Sequence, residues 1–352
     1  MSNQKRPTIK DIARMSEVSI ATVSRVLSNS DYPVSAEIRE LVLETAKRLH
    51  YIPNRLGKAL KTGVSYDIGI IIPSLSNPFY AETVSGIELE CRMQGYNAVF
   101  RCSNNDLPRE REYLDDFSAR GMAGILVSTV NEDTLQFHQA HSHDANIVLF
   151  DQTPMDRGYI SVAYDFHQAG VLAAEYLIRK GHRDIAVLSE PFDHANRKAR
   201  FDGFFETLKK HRIPLPDSRL FIHRMKESGG DTGLFEFDNG CALAQRFLES
   251  ACPAGAIVAT NDITAIGVIR VLSKHAYRVP EDISIIGFDD ISFSAMTTPP
   301  LTTVHQPSFE MGKTAVRLLI EQIANRAVGS VVLTPHVVER GSVVVIANDR
   351  AF

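Results

Sequence analysis

From Asp67 onward, short runs of nearly uninterrupted apolar residues alternate with longer amphipathic stretches, and this alternation narrows the fold more than any other feature. The strand candidates are IGIII (68–72), NAVFR (97–101), GILVST (124–129), NIVLFD (146–151), DIAVLS (184–189), AIVAT (256–260), ISIIGFD (283–289) and TTVHQ (302–306). Helical stretches at 79–93, 108–119, 165–180, 197–210, 262–275 and 308–326 separate them. A strand that is apolar at consecutive positions must be covered on both faces, so the pattern predicts parallel sheets flanked by helices. A chain of 352 residues has room for two such halves. A ligand site is expected in the cleft where the carboxyl ends of the strands meet.

Residues 8–50 follow a different rule. Three short helical patterns occur there, each with its own start signal. Thr8 with Asp11 three positions on has capping-box spacing, and the helix it opens would bury Ile9, Ile12 and Ala13. Ser19 caps a second helix that buries Val23, Val26 and Leu27. Ser35 starts a third, with Ile38, Leu41, Val42, Thr45 and Leu49 along one face. Helices this short do not persist alone in water, so they must share one small core. In YIPNRLGKALKTG (51–63), Pro53 ends the preceding element and Asn54 can cap a short helix that Gly63 releases, which makes this segment the linker.

Charge separates these regions. The net charge is −4, yet residues 1–62 hold eleven Lys and Arg against six Asp and Glu, a surplus of five cations. The remainder carries a surplus of nine acids. A basic head on an acidic body points to a head that touches a polyanion, although a solvated basic surface has the same composition. If the helix from Ser19 packs Val23, Val26 and Leu27 inward, its outer face presents Ile20, Ala21, Ser24, Arg25 and Ser28. Arg25 can pair with guanine or with phosphate, Ile20 and Ala21 can meet a thymine methyl, and Ser19, Thr22 and Ser24 can bond phosphates.

Several classes drop out. No run of eighteen apolar residues exists, and MSNQKRPTIKD lacks the apolar stretch of a secretory signal, so a cytoplasmic protein is expected. Cys91, Cys102, Cys241 and Cys252 are scattered and read as reduced thiols. MGKTA (311–315) echoes a phosphate loop, but Pro307 stands where that motif needs glycine, and the stretch reads as mid-helix. His182 has no partner at metal-ligand spacing and reads as a loop residue. No nucleotide-binding glycine pattern follows any strand, and no catalytic grouping can be argued; neither enzyme activity nor a cofactor is expected.

The segment TIKDIARMSEVSIATVSRVLSNSDYPVSAEIRELVLETAKRLHYIPNRLGKAL resembles the DNA-binding headpiece of the LacI/GalR family of bacterial transcription regulators. The resemblance continues through NPFYAE (77–82), RKARFDGF (197–204), TNDITAIGV (260–268), IIGFDDI (285–291) and TTPPLTTVHQP (297–307), and leans toward the ribose and purine repressor branch. It implies a helix-turn-helix headpiece (1–52), a hinge helix (53–63) and a two-lobed periplasmic-binding-protein-like core for effector binding and dimerisation (64–352). Carried over, the second helix enters the major groove with Ile20, Ala21 and Arg25 at the base-reading positions. Thr8, Asn54 and Arg55 join the DNA contacts, and Leu60 wedges into a minor-groove step. Gly57 stands where alanine is commoner, which weakens the hinge helix by about 1 kcal/mol and makes its folding depend more on DNA.

The family's effector contacts fall on Phe79, Tyr80, Asp151, Asn196, Arg200, Asn261, Asp262 and Asp289. Plainer roles also fit: Asp289 as a turn residue, Arg200 paired with Asp202 or Glu206, Phe79 as core. The added Arg197 and Lys198 favour an anionic effector. The chain ends without a leucine heptad tail, so a homodimer on a near-palindromic operator is expected. The expectation is a repressor whose grip on double-stranded DNA is set by a small metabolite, a sugar or sugar derivative. Alternatives are control by a protein corepressor, an exported sugar-binding protein, and a sugar-modifying α/β enzyme.

Overall fold

Asp11 closes the start of the first helix: its carboxylate accepts from both the Thr8 backbone N–H and the Thr8 hydroxyl, at 2.9 and 2.8 Å. The computed structural model describes residues 7–28, 32–51, 65–129, 146–153, 158–224, 235–250, 252 and 254–346. The chain divides into two compact units, Met1–Val64 and Ser65–Phe352. In the first unit, α1 (Ile9–Met15), α2 (Ile20–Leu27) and α3 (Ala36–Arg48) enclose a core of Ile12, Ala13, Val23, Val26, Val42 and Ala46. Ile9 and Leu27 are partly buried against it. Between α1 and α2, Glu17 adopts a left-handed φ of 55°, which turns the chain within the few residues from Ser16 to Ser19.

The third helix departs from its expected face. Val42, Thr45 and Ala46 are buried, whereas Ile38 and Leu41 remain 36% and 44% exposed. Leu41 lies about 100° around the helix from Val42, outside the stripe, and Ile38 sits in the first turn. Ala46 takes the position that apolar size alone assigned to leucine.

The second unit contains two six-stranded sheets. Sheet 1 has β1 (Asp67–Ile72), β2 (Asn97–Cys102), β3 (Gly124–Val127), β4 (Ile147–Gln152), β5 (Ile160–Tyr164) and β11 (Val331–Leu333), in the spatial order β11-β5-β4-β3-β1-β2. Sheet 2 has β6 (Ile185–Ser189), β7 (Leu220–Ile222), β8 (Ala256–Ala259), β9 (Ser284–Asp289), β10 (Thr302–His305) and β12 (His336–Val338), in the order β12-β10-β9-β8-β6-β7. Among the described residues every pairing is parallel except β10 with β12.

Both faces of each sheet are covered, which explains the uninterrupted apolar strands. In lobe 1, Ile68, Ile70 and Ile72 of β1 pack with α4 (Pro78–Met93) and α10 (Ser308–Ile323), while Ile71 packs with Leu114 and Phe117 of α5 (Leu107–Ala119). In lobe 2, Ile185 and Val187 face α6 (Phe166–Arg179) and α7 (Ala195–Lys210). Ala186 and Leu188 face α8 (Phe235–Glu249) and α9 (Asp262–Lys274).

The chain crosses between lobes three times: from β5 into α6, from β10 into α10, and from β11 into β12. Paired helices approach closely at facing glycines. A Cβ on Gly170 of α6 would strike the Arg200 carbonyl, and one on Gly203 of α7 the His167 carbonyl. The same device joins α8 to α9, where Gly240 meets the Thr264 carbonyl and Gly267 that of Phe237. MGKTA lies within α10. His182 does sit between elements, but it is buried, and its Nε2 lies 3.1 Å from the Val344 carbonyl. No helix among the described residues is long and apolar enough to cross a membrane.

Candidate functional site

On the headpiece, Ser19 ends the turn and caps α2 by accepting from the Thr22 amide at 3.0 Å; the two hydroxyls lie 2.8 Å apart. Val23 and Val26 turn inward, which leaves Ile20 43% exposed and Ala21 exposed beside it. Arg25, in the last turn, lies with its guanidinium 3.8 Å above the Tyr32 ring. That stacking restricts a long side chain before any partner arrives; Tyr32 carried no signal of this role in the sequence. Thr8 is exposed at the start of α1, and Ser24 is half-buried on α2. Asn54, Arg55, Gly57 and Leu60 lie outside the described residues.

The second unit gathers polar groups where the strands of the two sheets end. Asp151, at the end of β4 with a left-handed φ of 56°, accepts from the Tyr80 hydroxyl at 2.9 Å and from Gln306 Nε2 at 2.7 Å. Burial pushes its carboxyl up to about 6 despite those bonds. From lobe 2, Asn196 clasps the same strand end: its Nδ2 donates to the Asp151 carbonyl at 2.8 Å, and its Oδ1 accepts from the Thr153 amide at 3.1 Å. Phe79 is 4% exposed and meets the Tyr80 ring edge-on at 5.0 Å. Phe79 therefore serves lobe 1 as core, and Tyr80 brings the hydroxyl.

Arg200 crosses the floor of the cleft. Its guanidinium lies 4.5 Å from the Phe288 ring centre and 5.4 Å from that of Phe166, donates to the Thr260 carbonyl, and stands 3.6 Å from Asp289. Its Nε is buried without a protein partner among the described residues. Asp289, at the end of β9 with φ 106°, is raised well above the usual carboxylate range by burial, against the pull of Arg200. The expected local partners of Arg200 are engaged elsewhere: Asp202 with Lys198 at 2.6 Å, and Glu206 with His167 at 3.1 Å.

Two expectations change. Asp262 is fully buried within lobe 2, and its carboxylate is occupied there by Ser294 Oγ at 2.6 Å, Thr303 Oγ1 at 2.6 Å and the Ile291 amide at 3.2 Å. It ties α9 to the segment after β9 and to β10, and has no spare surface for a ligand. Nor do the extra cations make an anion-binding pocket. Arg197 pairs with Glu190 at 3.2 Å and Asp193 at 3.3 Å, while Lys198 points away, 63% exposed. Arg224 adds bonds to the same Glu190 and Asp193 at 2.8–3.0 Å, so the cluster neutralises itself.

Asn261 caps α9 through Oδ1 and donates its Nδ2 to Glu236 at 3.0 Å. Neither Glu236 nor Gln306 was foreseen as part of the cleft, although Gln306 lies inside the quoted TTPPLTTVHQP. Burial, with repulsion from Glu190, pushes the Glu236 carboxyl up to about 7.

Comparison with known proteins matches these two units. Residues 8–54 fit the model of bacterial regulatory proteins of the lacI family, and residues 174–343 fit that of the periplasmic binding protein-like domain. The chain is 33% identical over 339 residues to the ribose operon repressor of Escherichia coli (strain K12), covering 95% of this chain and 99% of that protein. It is 31% identical to the HTH-type transcriptional repressor PurR of Mannheimia succiniciproducens, over 97% of this chain and 99% of that one. Among solved structures, the lac repressor dimer bound to operator and the anti-inducer ONPF superposes with a TM-score of 0.84 at 26% identity, covering 97% and 100% of the two chains. A regulator from Enterococcus faecium with bound ribose gives 0.68 at 27% identity, over 80% and 99%.

Proposed function

The chain belongs to the LacI family of bacterial regulatory proteins, and from that premise we propose a cytoplasmic, homodimeric repressor whose hold on a near-palindromic operator is set by an uncharged polyhydroxyl metabolite. It is a DNA-binding transcriptional regulator and not an enzyme. The division into headpiece (1–52), hinge (53–63) and effector core (64–352) belongs to this proposal. So do the DNA contacts at Thr8, Ser19, Ile20, Ala21, Thr22, Ser24, Arg25, Asn54, Arg55 and Leu60. On the effector side, Tyr80, Asp151, Asn196, Arg200, Asn261 and Asp289 are the contacts, with Phe79 supporting Tyr80 from behind.

One observation carries the effector class: Arg200, the one buried arginine among the described residues, stands beside the carboxyl groups of Asp289 and Asp151, with Glu236 close to the same Asp289, and its Nε is unsatisfied. Paired charges of this kind bond the hydroxyls of a neutral sugar from both sides, as donor and as acceptors. Carboxyl groups that burial pushes toward the neutral form can both donate to and accept from ligand hydroxyls, whereas a phosphate or carboxylate ligand would make their ionisation costlier still. A wrong ligand would leave buried groups unpaired, and that is the source of discrimination. The effector then moves the operator equilibrium only by its preference for one lobe arrangement, typically about 1–3 kcal/mol.

Two measurements check this reading. Selection from a random duplex pool, followed by footprinting, should yield a two-fold site whose affinity falls steeply as salt rises, because phosphate contacts release counterions. A salt-insensitive complex counts against groove binding by this headpiece. In a thermal-shift panel of neutral sugars, sugar phosphates and purines, a neutral sugar should stabilise the protein through binding to the folded state. Stabilisation by sugar phosphates alone refutes the charge argument, and no response to any small molecule favours a protein corepressor.

A further inference from the structure

The first helix of lobe 1 and the helix of the β8–β9 crossover in lobe 2 start with the same device. Asn77 caps α4 through Oδ1, accepting from the Phe79 amide at 2.9 Å, as Asn261 caps α9 by accepting from Thr264. Each cap leaves one amide nitrogen free, and both nitrogens converge on a single atom: Asn77 Nδ2 and Asn261 Nδ2 each lie 3.0 Å from Glu236 Oε1. Glu236 sits in the first turn of α8.

The two bonds are not equivalent. Helices α8 and α9 are locked together where Gly240 and Gly267 meet the opposite backbone, and the Thr264 hydroxyl donates to the Glu236 carbonyl at 3.4 Å. The Asn261 bond therefore moves with lobe 2 as a rigid part of it. The Asn77 bond spans the lobes, and any opening of the cleft at this end must break it.

We propose that Glu236 is an interlobe latch, fixing lobe closure in the ligand-free protein through Asn77 and thereby setting its ligand-free affinity for the operator. This regulation rests on the reading of the protein as a two-lobed repressor. Glu236 is thus a positioning residue, which acts on DNA through lobe geometry.

The test uses the full-length protein without effector and, as probe, the duplex that the wild type selects from a random pool. Asn77→Ser keeps a capping oxygen but removes the amide donor, and Glu236→Ala removes the acceptor. Each should change the operator Kd by on the order of tenfold in the same direction, the scale of one hydrogen bond to a charged group. The double variant should match either single one, since both break the same bond, and Glu236→Gln should give a smaller change. Additive effects, or an Asn77→Ser Kd within twofold of wild type, overturn the latch.

Small-angle scattering reads closure without DNA: both variants should show a larger radius of gyration, and an unchanged radius overturns the proposal. Should the scattering change as expected while the wild type selects no duplex, it is the repressor reading that fails.

Discussion

Arg200→Ala is expected to abolish the effector response while leaving operator binding in place. Arg200 supplies the cation beside the carboxyl groups of Asp289 and Asp151 and is held there by Phe166, Phe288, Asp289 and the Thr260 carbonyl. Its removal deletes the donors a hydroxyl ligand would use and leaves Asp289 without its nearest positive charge. Each lost hydrogen bond to a charged group is worth about 1.5–3 kcal/mol, so losing two or more puts the effector beyond reach at ordinary concentrations. The headpiece is a separate compact unit whose core, among the described residues, is built from its own three helices and the turns beside them, so its ability to hold DNA should survive. The check is operator anisotropy titrated with the sugar that most stabilises the wild type. A mutant that responds at the same concentration places the pocket elsewhere.

Arg25→Ala is the second large effect: operator affinity should fall by about 1–3 kcal/mol, roughly 5- to 150-fold, with discrimination relaxed at one base pair of each half-site. Arg25 is only half-buried and stacks on Tyr32, outside the cluster of Ile12, Val23, Val26 and Val42. Its loss should therefore leave the melting temperature nearly unchanged. Competition against single-base operator variants separates the two ways an arginine can act. If the loss is uniform across sequences and the salt slope falls by about one, Arg25 is a phosphate contact. Unchanged affinity removes it from the interface.

The long elements were legible because both of their signals agreed. β1 after Asp67 and β9 from Ile285 to Phe288 are apolar and covered on both faces, and α1, α2 and α3 each open on a polar cap, Thr8, Ser19 and Ser35. Three of the four strands that escaped were short and lay at sheet edges. β7, β11 and β12 have three residues each, too few to show any period, and β5 is partly polar at its start. The face of α3 was misjudged because size favoured Leu41 where packing took Ala46.

In the cleft the types of residue were readable but their directions were not. Asp262 follows the cap of α9 and turns inward to Ser294 and Thr303, whereas Asn261, one residue earlier, reaches Glu236. Glu236 belongs to α8, a helix with no motif of its own, and only the fold brings it to the caps of two helices from different lobes.

The three crossings between lobes also order the birth of the molecule. Helix α10 and strand β11 complete the first lobe, yet both follow almost the whole of the second in the chain. On a ribosome, Val148, Phe150 and Ile68, Ile70 and Ile72 of β1 must wait for Met311, Val316 and Leu319 to emerge before that side of their sheet closes. Neither lobe can be cut out as a contiguous fragment, and a nascent chain stalled before residue 308 would present an oily sheet to chaperones.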